Sequence, residues 1–166
     1  SNGAGANELT PTAPPFFERI MHIETVDQSQ YPQLLTIWEA SVRATHDFLA
    51  EADLLELKPL ILEQYFAAVD LRAAKGSDGE LLGFCGVSDG NIEMLFIAPE
   101  ARGQGVGARL TAYAIEHQGA TKVDVNEQNV QALGFYEHVG FAVVSRSPVD
   151  GQGKPYPLLH MELAGR

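Results

Sequence analysis

The stretch that decides the fold runs from Ile92 to Gly107 and reads IEMLFIAPEARGQGVG. Its apolar first part predicts a β-strand, Pro99 ends that strand, and a glycine-rich loop from Arg102 to Gly107 leads into a helix. Glycines at such a place let the backbone approach an anion, and a helix N-terminus offers free N–H groups and the positive end of a dipole. The stretch therefore predicts a pocket for the pyrophosphate of a nucleotide-like cofactor.

Other phosphate-binding loops fit this stretch less well. A Walker A loop ends in Gly-Lys-Ser or Gly-Lys-Thr, but here Gly107 is followed by Ala108 and Arg109, which argues against ATP or GTP chemistry. A dinucleotide fingerprint matches in part, because Gly103, Gly105 and Ala108 have the required spacing. However, five residues (98–102) separate strand from loop, and the loop follows three β-elements that form no βαβ series. A nicotinamide-dependent enzyme and a glycine-rich helix start without a ligand stay open as weaker alternatives.

Size, charge and cysteine content narrow the class of protein. The 166 residues suit one domain, and 45% hydrophobic with 20% charged residues are typical of a globular protein. A net charge of −11 argues against nucleic-acid binding and attracts cationic substrates such as amines, although it also serves solubility. The lone Cys85 excludes an internal disulfide and favours a cytoplasmic setting, and the five histidines show no metal-ligand spacing. No apolar run reaches the roughly 18–20 residues of a membrane span, so no membrane partner is predicted.

The chain is predicted to hold a single domain, from residue 19 to residue 166. Residues 1–18 are rich in Gly, Ala, Asn and Pro and are interpreted as a cloning remnant and flexible leader outside the fold. Hydrophobic periodicity predicts the order β-α-α-β-β-β-α-β-α-β-β, an α/β class with one mixed sheet and helices on its faces. The predicted strands are 20–26, 71–74, 81–88, 92–97, 121–125, 141–149 and 156–162, and the predicted helices are 31–44, 52–68, 105–117 and 129–139.

A second motif follows the glycine-rich loop, runs from Asn126 to Phe141 and reads N-x-x-N-x-x-A-x-x-F-Y-x-x-x-G-F. Together with the strand and the Arg-x-x-Gly-x-Gly loop, it resembles the GNAT superfamily of acyl-CoA-dependent N-acetyltransferases, over roughly residues 21–163. The resemblance implies a mixed, mainly antiparallel sheet that is splayed at the cofactor site. It also implies direct transfer of an acetyl group from acetyl-CoA to a primary amine, on a protein lysine or a small molecule, in a ternary complex. Homodimers are common in the superfamily, so a homodimer is left open here.

The resemblance also assigns the residues that hold acetyl-CoA. The backbone of the strand pairs with the pantetheine amides, and the N–H groups of the glycine-rich loop bind the pyrophosphate. Asn129 caps its helix, bonds the pantetheine arm, or does both. The cofactor-binding residues implied in this way are Leu95, Phe96, Ile97, Arg102, Gly103, Gln104, Gly105, Val106, Gly107, Asn129, Phe135 and Tyr136.

Three residues are predicted to catalyse the transfer: Tyr136, Glu93 and His46. By resemblance, Tyr136 points at the cofactor sulfur and acts as general acid toward the leaving thiolate. The resemblance also implies a base for the amine, which is either Glu93, on the strand just before the cofactor-binding part, or His46, an imidazole suited to neutral pH. Cys85 lies in an apolar strand, which favours a buried thiol and disfavours an acetyl-cysteine route. A CoA-binding sensor without efficient catalysis is the alternative function.

Overall fold

The computed structural model describes residues 21–165, and the predicted order of elements is present in that range. The strands are β1 (His22–Thr25), β2 (Asp70–Lys75), β3 (Leu81–Ser88), β4 (Asn91–Ile97), β5 (Lys122–Asn126), β6 (Phe141–Ser147) and β7 (Leu158–Leu163). The α-helices are α1 (Tyr31–Thr45), α2 (Glu51–Leu60), α3 (Phe66–Ala68), α4 (Val106–His117) and α5 (Val130–Val139), and a π-helical segment (Ile61–Tyr65) joins α2 to α3.

Within these residues, the strands form one seven-stranded sheet in the order β1-β2-β3-β4-β5-β7-β6. Neighbouring strands are antiparallel except for β4 and β5, which are parallel. These two strands pair only where they begin, Asn91 with Lys122 and Ile92 with Val123, and then separate. The mixed, mainly antiparallel sheet and its splay between β4 and β5 are therefore confirmed.

Helices cover both faces of the sheet, as predicted. On one face, Tyr31 of α1 packs on Phe66, which packs edge-on against Phe84 of β3, with ring centroids 5.2 and 5.7 Å apart. On the other face, Arg72 of β2 lies over the ring of Tyr113 of α4. Arg72 pairs with the residue that follows Phe84, and successive strand residues point to opposite faces. Helices α1 and α4 therefore lie on opposite faces.

Two prolines explain where the last strands differ from the prediction. β6 ends at Ser147, directly before Pro148, although the prediction extended it to 149. β7 begins at Leu158, directly after Pro157, although the prediction started it at 156. Proline has no N–H to give to a neighbouring strand, so sheet pairing stops beside it.

Some predictions fall outside the described residues. These are the leader at 1–18, the start of the domain at residue 19 and the first residue of the first predicted strand. Among the helices that are described, none has the length and apolar character needed to cross a membrane.

Candidate active site

The split in the sheet begins at a β-bulge in β4. Gly86 of β3 pairs with Met94, and the next residue, Val87, pairs with Ile92, which leaves Glu93 as the extra residue. A bulge of this kind bends and twists the strand that carries it. Beyond the bulge, β4 diverges from β5 and a cleft lies against the remainder of the strand.

The cleft has a volume of about 380 Å³ and is lined from both faces of the sheet, by the end of α1 and the start of α4. All of the predicted cofactor-binding residues line it except Gln104, whose side chain donates a hydrogen bond to the Glu100 carbonyl oxygen at 3.3 Å. The lining residues are Ser41, Thr45, His46, Leu95, Phe96, Ile97, Ala101, Arg102, Gly103, Gly105, Val106, Gly107, Ala108, Asn129, Gln131, Ala132, Phe135 and Tyr136.

The glycine end of the cleft, Arg102–Ala108, is built from backbone. Gly103 and Gly105 have positive φ angles of 78° and 79°, a conformation that strains residues with a side chain. Gly105 is the N-cap of α4 and has no side chain to bond the first N–H groups of the helix. The first intrahelical bond joins the Arg109 N–H to the Gly105 carbonyl oxygen at 3.0 Å. The N–H groups before it and the helix dipole form a cradle that fits a pyrophosphate.

Gly83 of β3 allows β3 to lie close to β4, the strand that forms one wall of the cleft. A Cβ at this position would lie 2.8 Å from the carbonyl oxygen of Phe96 and 2.9 Å from Cδ1 of Ile97. Both distances are shorter than a carbon atom tolerates, so glycine lets β3 approach β4 this closely. Gly83 therefore sets the position of the strand whose backbone is predicted to pair with pantetheine.

The histidine end of the cleft, Thr45, His46 and Asn129, is built from side chains. Asn129 caps α5, because its Oδ1 accepts a hydrogen bond from the Ala132 N–H at 3.1 Å. Its Nδ2 lies 3.5 Å from Nε2 of His46, whose Nδ1 lies 2.7 Å from Oγ1 of Thr45. Burial lowers the pKa of His46 below its ordinary value, and the charge of Asp47 opposes this only in part. The imidazole is therefore neutral near neutral pH, as a proton acceptor must be.

Tyr136 lines the cleft from α5 and is only 6% exposed. Its ring packs edge-on against Phe135 and Phe141, with centroids 5.1 and 5.7 Å away. Burial, and to a smaller extent Cys85, raises the pKa of the Tyr136 phenol well above its ordinary value. The hydroxyl therefore keeps its proton at neutral pH and is able to donate it in a hydrogen bond.

Cys85 is buried in β3, in agreement with the predicted buried thiol. Burial raises the pKa of the Cys85 thiol to about 12. A thiol that stays protonated near neutral pH is a poor nucleophile, since the thiolate is the reactive form.

Glu93 is exposed and does not line the cleft. It lines a second depression, of about 400 Å³, together with Asp124 and His160. In that depression, Nδ1 of His160 lies 2.6 Å from the Asp124 carboxylate, and its Nε2 lies 2.6 Å from the Ser147 hydroxyl. The structure thus brings the other two predicted catalytic residues to one cleft and places Glu93 outside it.

A clasp formed by Asp53, Lys154 and Tyr156 lies beside the histidine end. The Tyr156 hydroxyl donates to Asp53 and accepts a hydrogen bond from the backbone at 3.2 Å, and Nζ of Lys154 lies 2.7 Å from the Asp53 carboxylate. The ring centroid of Phe48 is 6.4 Å from that of Tyr156 and 5.2 Å from that of His46. The clasp therefore holds the β6–β7 connection against the start of α2, next to the histidine.

Known proteins resemble this chain in sequence. A family model described as "Acetyltransferase (GNAT) domain" matches residues 62–164. The peptidyl-lysine N-acetyltransferase YjaB of Salmonella typhimurium strain LT2 is 43% identical over 129 residues, which are 78% of this chain and 88% of that protein. The protein of the same name from Escherichia coli K12 is 42% identical over 133 residues, 80% of this chain and 90% of that protein. The chain belongs to the GNAT acetyltransferase family.

Solved structures agree with this assignment. The solution structure of apo-form YjaB from Escherichia coli matches with a TM-score of 0.78 at 39% identity, covering 89% of this chain and 99% of that one. A PaiA N-acetyltransferase from Thermoplasma acidophilum, in complex with coenzyme A, matches with a TM-score of 0.67 at 17% identity over 87% of this chain and 99% of that one, which shows the fold alone. The GNAT fold expected from the sequence is confirmed.

GNAT membership fixes the reaction class. The protein is an N-acetyltransferase that uses acetyl-CoA, which confirms the predicted activity and cofactor and replaces the nicotinamide-dependent alternative. The glycine end fits the pyrophosphate of the cofactor, and the apolar wall Leu95–Ile97 fits its pantetheine arm. When bound, acetyl-CoA supplies an acetyl group on a thioester. Within residues 21–165, no group of three or more His, Cys, Asp or Glu side chains is arranged to hold a metal ion.

Three polar residues of the cleft were not predicted from the sequence: Ser41, Thr45 and Gln131. Thr45 had a visible signal, since a hydroxyl directly before a candidate histidine base is able to bond the imidazole. Gln131 accepts a hydrogen bond from Arg102 at 2.9 Å, and the Ser41 carbonyl oxygen accepts one from Thr45 at 2.8 Å. The Thr45–Ser41 bond is the common bond of a helical threonine to the carbonyl four residues earlier, whereas nothing in the local sequence marks the contact between Arg102 and Gln131.

Proposed function

We propose that this enzyme acetylates the ε-amino group of lysine in proteins or peptides. The two YjaB relatives, at 42% and 43% identity, are named peptidyl-lysine N-acetyltransferases. The net charge of −11 and the carboxylate of Asp47 beside His46 favour a cationic acceptor. A lysine side chain is such an acceptor, because it carries its charge on a slender apolar stem.

The proposed mechanism rests on one observation, that His46 and Tyr136 line the same cleft as the glycine end. We assign His46 as the base that receives the proton of the amine, at Nε2. As the amine nitrogen bonds to the acetyl carbon and the carbon–sulfur bond breaks, we assign Tyr136 as the acid that donates its hydroxyl hydrogen to the leaving sulfur. The proton taken up by His46 is then released to solvent, and a solvent proton restores the Tyr136 hydroxyl. Two groups with opposite tasks in one cleft supply both proton transfers that the reaction needs.

The cleft also helps the amine to lose its proton. A lysine ammonium that enters between apolar walls such as Leu95 and Phe96 loses hydration, which lowers its pKa. The neutral imidazole of His46 then accepts the proton, and the amine keeps its lone pair for attack. Glu93 has no role in this proposal, because it is exposed and lines the other depression.

Direct transfer between the two substrates follows from the state of Cys85. This residue is the one cysteine of the chain, and its buried thiol stays protonated at neutral pH. An acetyl-cysteine intermediate would need a thiolate within reach of the acetyl group. The proposed mechanism therefore uses a ternary complex of enzyme, acetyl-CoA and acceptor.

The proposal includes a cytoplasmic location and a homodimer. The lone cysteine suits a reducing compartment. Val143 and Val144, which are 46% and 56% exposed on the edge strand β6, offer apolar surface to a second copy. Light scattering of the purified protein tests the dimer, since twice the chain mass of 18.0 kDa supports it and the single mass contradicts it.

The acceptor is tested with acetyl-CoA and a peptide that carries one lysine and a blocked N-terminus. Mass spectrometry of the product is expected to place the acetyl group on the lysine side chain, and a matched peptide with arginine in place of lysine is expected to remain unmodified. Spermidine and a peptide with a free N-terminus serve as competing acceptors. Acetylation of these competitors alone contradicts the lysine proposal and leaves the N-acetyltransferase assignment intact.

Initial rates distinguish direct transfer from an acetylated enzyme. With both substrates varied, intersecting double-reciprocal lines are expected for a ternary complex. Parallel lines, together with an acetylated protein after incubation with acetyl-CoA alone, would contradict it.

A further inference from the structure

Both ring nitrogens of His46 have a polar neighbour, and the two neighbours differ in kind. Nδ1 lies 2.7 Å from the Thr45 hydroxyl oxygen, and Nε2 lies 3.5 Å from Nδ2 of Asn129. A neutral imidazole carries one proton, so one nitrogen donates and the other accepts. The partners of the two neighbours decide which nitrogen holds the proton.

Thr45 requires a donor at Nδ1. A hydroxyl has a single hydrogen, and that of Thr45 is donated to the Ser41 carbonyl oxygen, 2.8 Å away and one helical turn earlier. Towards His46, the Thr45 oxygen is therefore able only to accept. The 2.7 Å contact is a hydrogen bond if Nδ1 carries the proton.

Asn129 favours an acceptor at Nε2, through a contact of 3.5 Å that is longer and weaker than the 2.7 Å contact of Thr45 with Nδ1. Its carbonyl Oδ1 is occupied by the Ala132 N–H at the helix cap, which orients the amide and turns Nδ2 towards His46. Nδ2 carries only hydrogens, so the facing Nε2 must offer a lone pair. A protonated His46 would bring two N–H groups face to face, which disfavours the charged ring.

We propose that Thr45 is a positioning residue that fixes His46 in the tautomer with the proton on Nδ1 and the lone pair of Nε2 in the cleft. The inference deepens the proposed function, since it rests on His46 as the base. In the free enzyme, the Nε2 lone pair of His46 faces the Nδ2 amide of Asn129. An acceptor amine also carries N–H donors, so it is able to replace that amide at Nε2. Thr45 thus prepares the nitrogen that receives the proton.

The test compares Thr45→Val, which keeps the shape of the side chain and removes the hydroxyl, with Thr45→Ser, which keeps the hydroxyl. Two-bond ¹H–¹⁵N spectra of histidine-labelled protein report the tautomer directly, and His46→Gln identifies the His46 signals. We expect the Nδ1–H form in the wild type and in Thr45→Ser, and a mixture of tautomers in Thr45→Val. Turnover with acetyl-CoA and the lysine peptide is expected to fall roughly 2- to 10-fold in Thr45→Val and to recover in Thr45→Ser, because one hydrogen bond is lost and regained.

The outcomes separate this inference from the assignment of the base. An unchanged tautomer in Thr45→Val overturns the positioning role. A changed tautomer with unchanged turnover supports the positioning role and overturns His46 as the base. Thermal unfolding of each variant checks the fold, and Thr45→Ala, which also lacks the hydroxyl, replaces Thr45→Val if the latter does not fold.

Discussion

The glycine end and the histidine end of the cleft are built in different ways. The glycine end uses backbone N–H groups of one continuous loop, Arg102–Ala108. The histidine end joins His46 and Asn129, which are 83 residues apart in the chain. A backbone cradle depends on conformation, whereas a side-chain site depends on the chemistry of each residue. We therefore expect changes at the histidine end and at Tyr136 to alter the rate, and changes at the glycine end to alter affinity for CoA.

The largest effect is expected for His46→Gln, which removes the proposed base. Turnover should fall roughly 10²- to 10⁴-fold, the usual contribution of a general base, while the Kd of acetyl-CoA measured by calorimetry stays near that of the wild type. Glu93→Gln is the matched control and should keep its turnover. If Glu93→Gln loses the activity and His46→Gln retains it, the two roles are reversed.

The next largest effect is expected for Tyr136→Phe. Without the hydroxyl, no proton is donated to the leaving sulfur, and thiol release should slow by roughly 10²-fold with little change in the Kd of acetyl-CoA. Tyr113→Phe is the control for the loss of a phenol hydroxyl, because Tyr113 packs against Arg72 and does not line the cleft. Normal thiol release by Tyr136→Phe rules out the acid role.

The activity should also depend on pH through His46. Because burial lowers the pKa of His46, its neutral form persists below the ordinary histidine range, and kcat/KM should fall about tenfold per unit only at more acidic pH. Because the pKa of His46 is lower in the folded protein than in the unfolded chain, the unfolded chain binds this proton more readily. The free energy of unfolding therefore also decreases as the pH falls. Measurement of kcat/KM from about pH 5 to about pH 8 locates the pH below which the activity falls. An acidic limb that starts above the ordinary histidine pKa contradicts the assignment.

A smaller effect, on affinity, is expected for Gly105→Ala. A side chain at this positive φ shifts the first N–H groups of α4, which are proposed to bind the pyrophosphate, so the Kd of acetyl-CoA should rise about tenfold with saturated turnover preserved. The strain itself costs about 1–2 kcal/mol of stability. Gly79→Ala is the control, since Gly79 has a φ of 82° and open space around it, in a turn that does not line the cleft. The two variants should lose similar stability. Equal loss of CoA affinity in both would mean that the cradle has no special role.

The smallest effect is expected for Tyr156→Phe in the clasp. This change removes the hydrogen bond to Asp53 and loosens the β6–β7 connection beside the histidine end. Because these groups are half-buried and do not line the cleft, the KM for the lysine peptide should rise only about two- to threefold, with the Kd of acetyl-CoA unchanged. If the Kd of acetyl-CoA changes more than the KM of the peptide, the clasp supports the cofactor site and not the acceptor site.

The fold and the glycine end were predictable because their signals are local. The apolar spacing from Leu34 to Val42 follows one face of a helix, and these residues are buried as that spacing requires. Asn129 was predicted as a cap from its place before a helix, and it is one. In such cases, neighbours in the sequence are neighbours in space.

At the histidine end, the sequence predicts candidate residues but not which of them contact one another. The contact between His46 and Asn129 joins distant segments, and the hydrogen bond of Thr45 depends on where α1 ends. Glu93 is a strand residue in the sequence, but its direction depends on a bulge that results from pairing with β3. Long-range pairing therefore decides which of the candidate bases faces the cleft.

Gly83 links the packing of β3 to the shape of the cleft. It does not line the cleft, yet a side chain there would collide with Phe96 and Ile97, which do line it. A substitution at this position would therefore displace the wall of the cleft without placing any atom in the cleft. A mutational screen restricted to lining residues would never sample this control point.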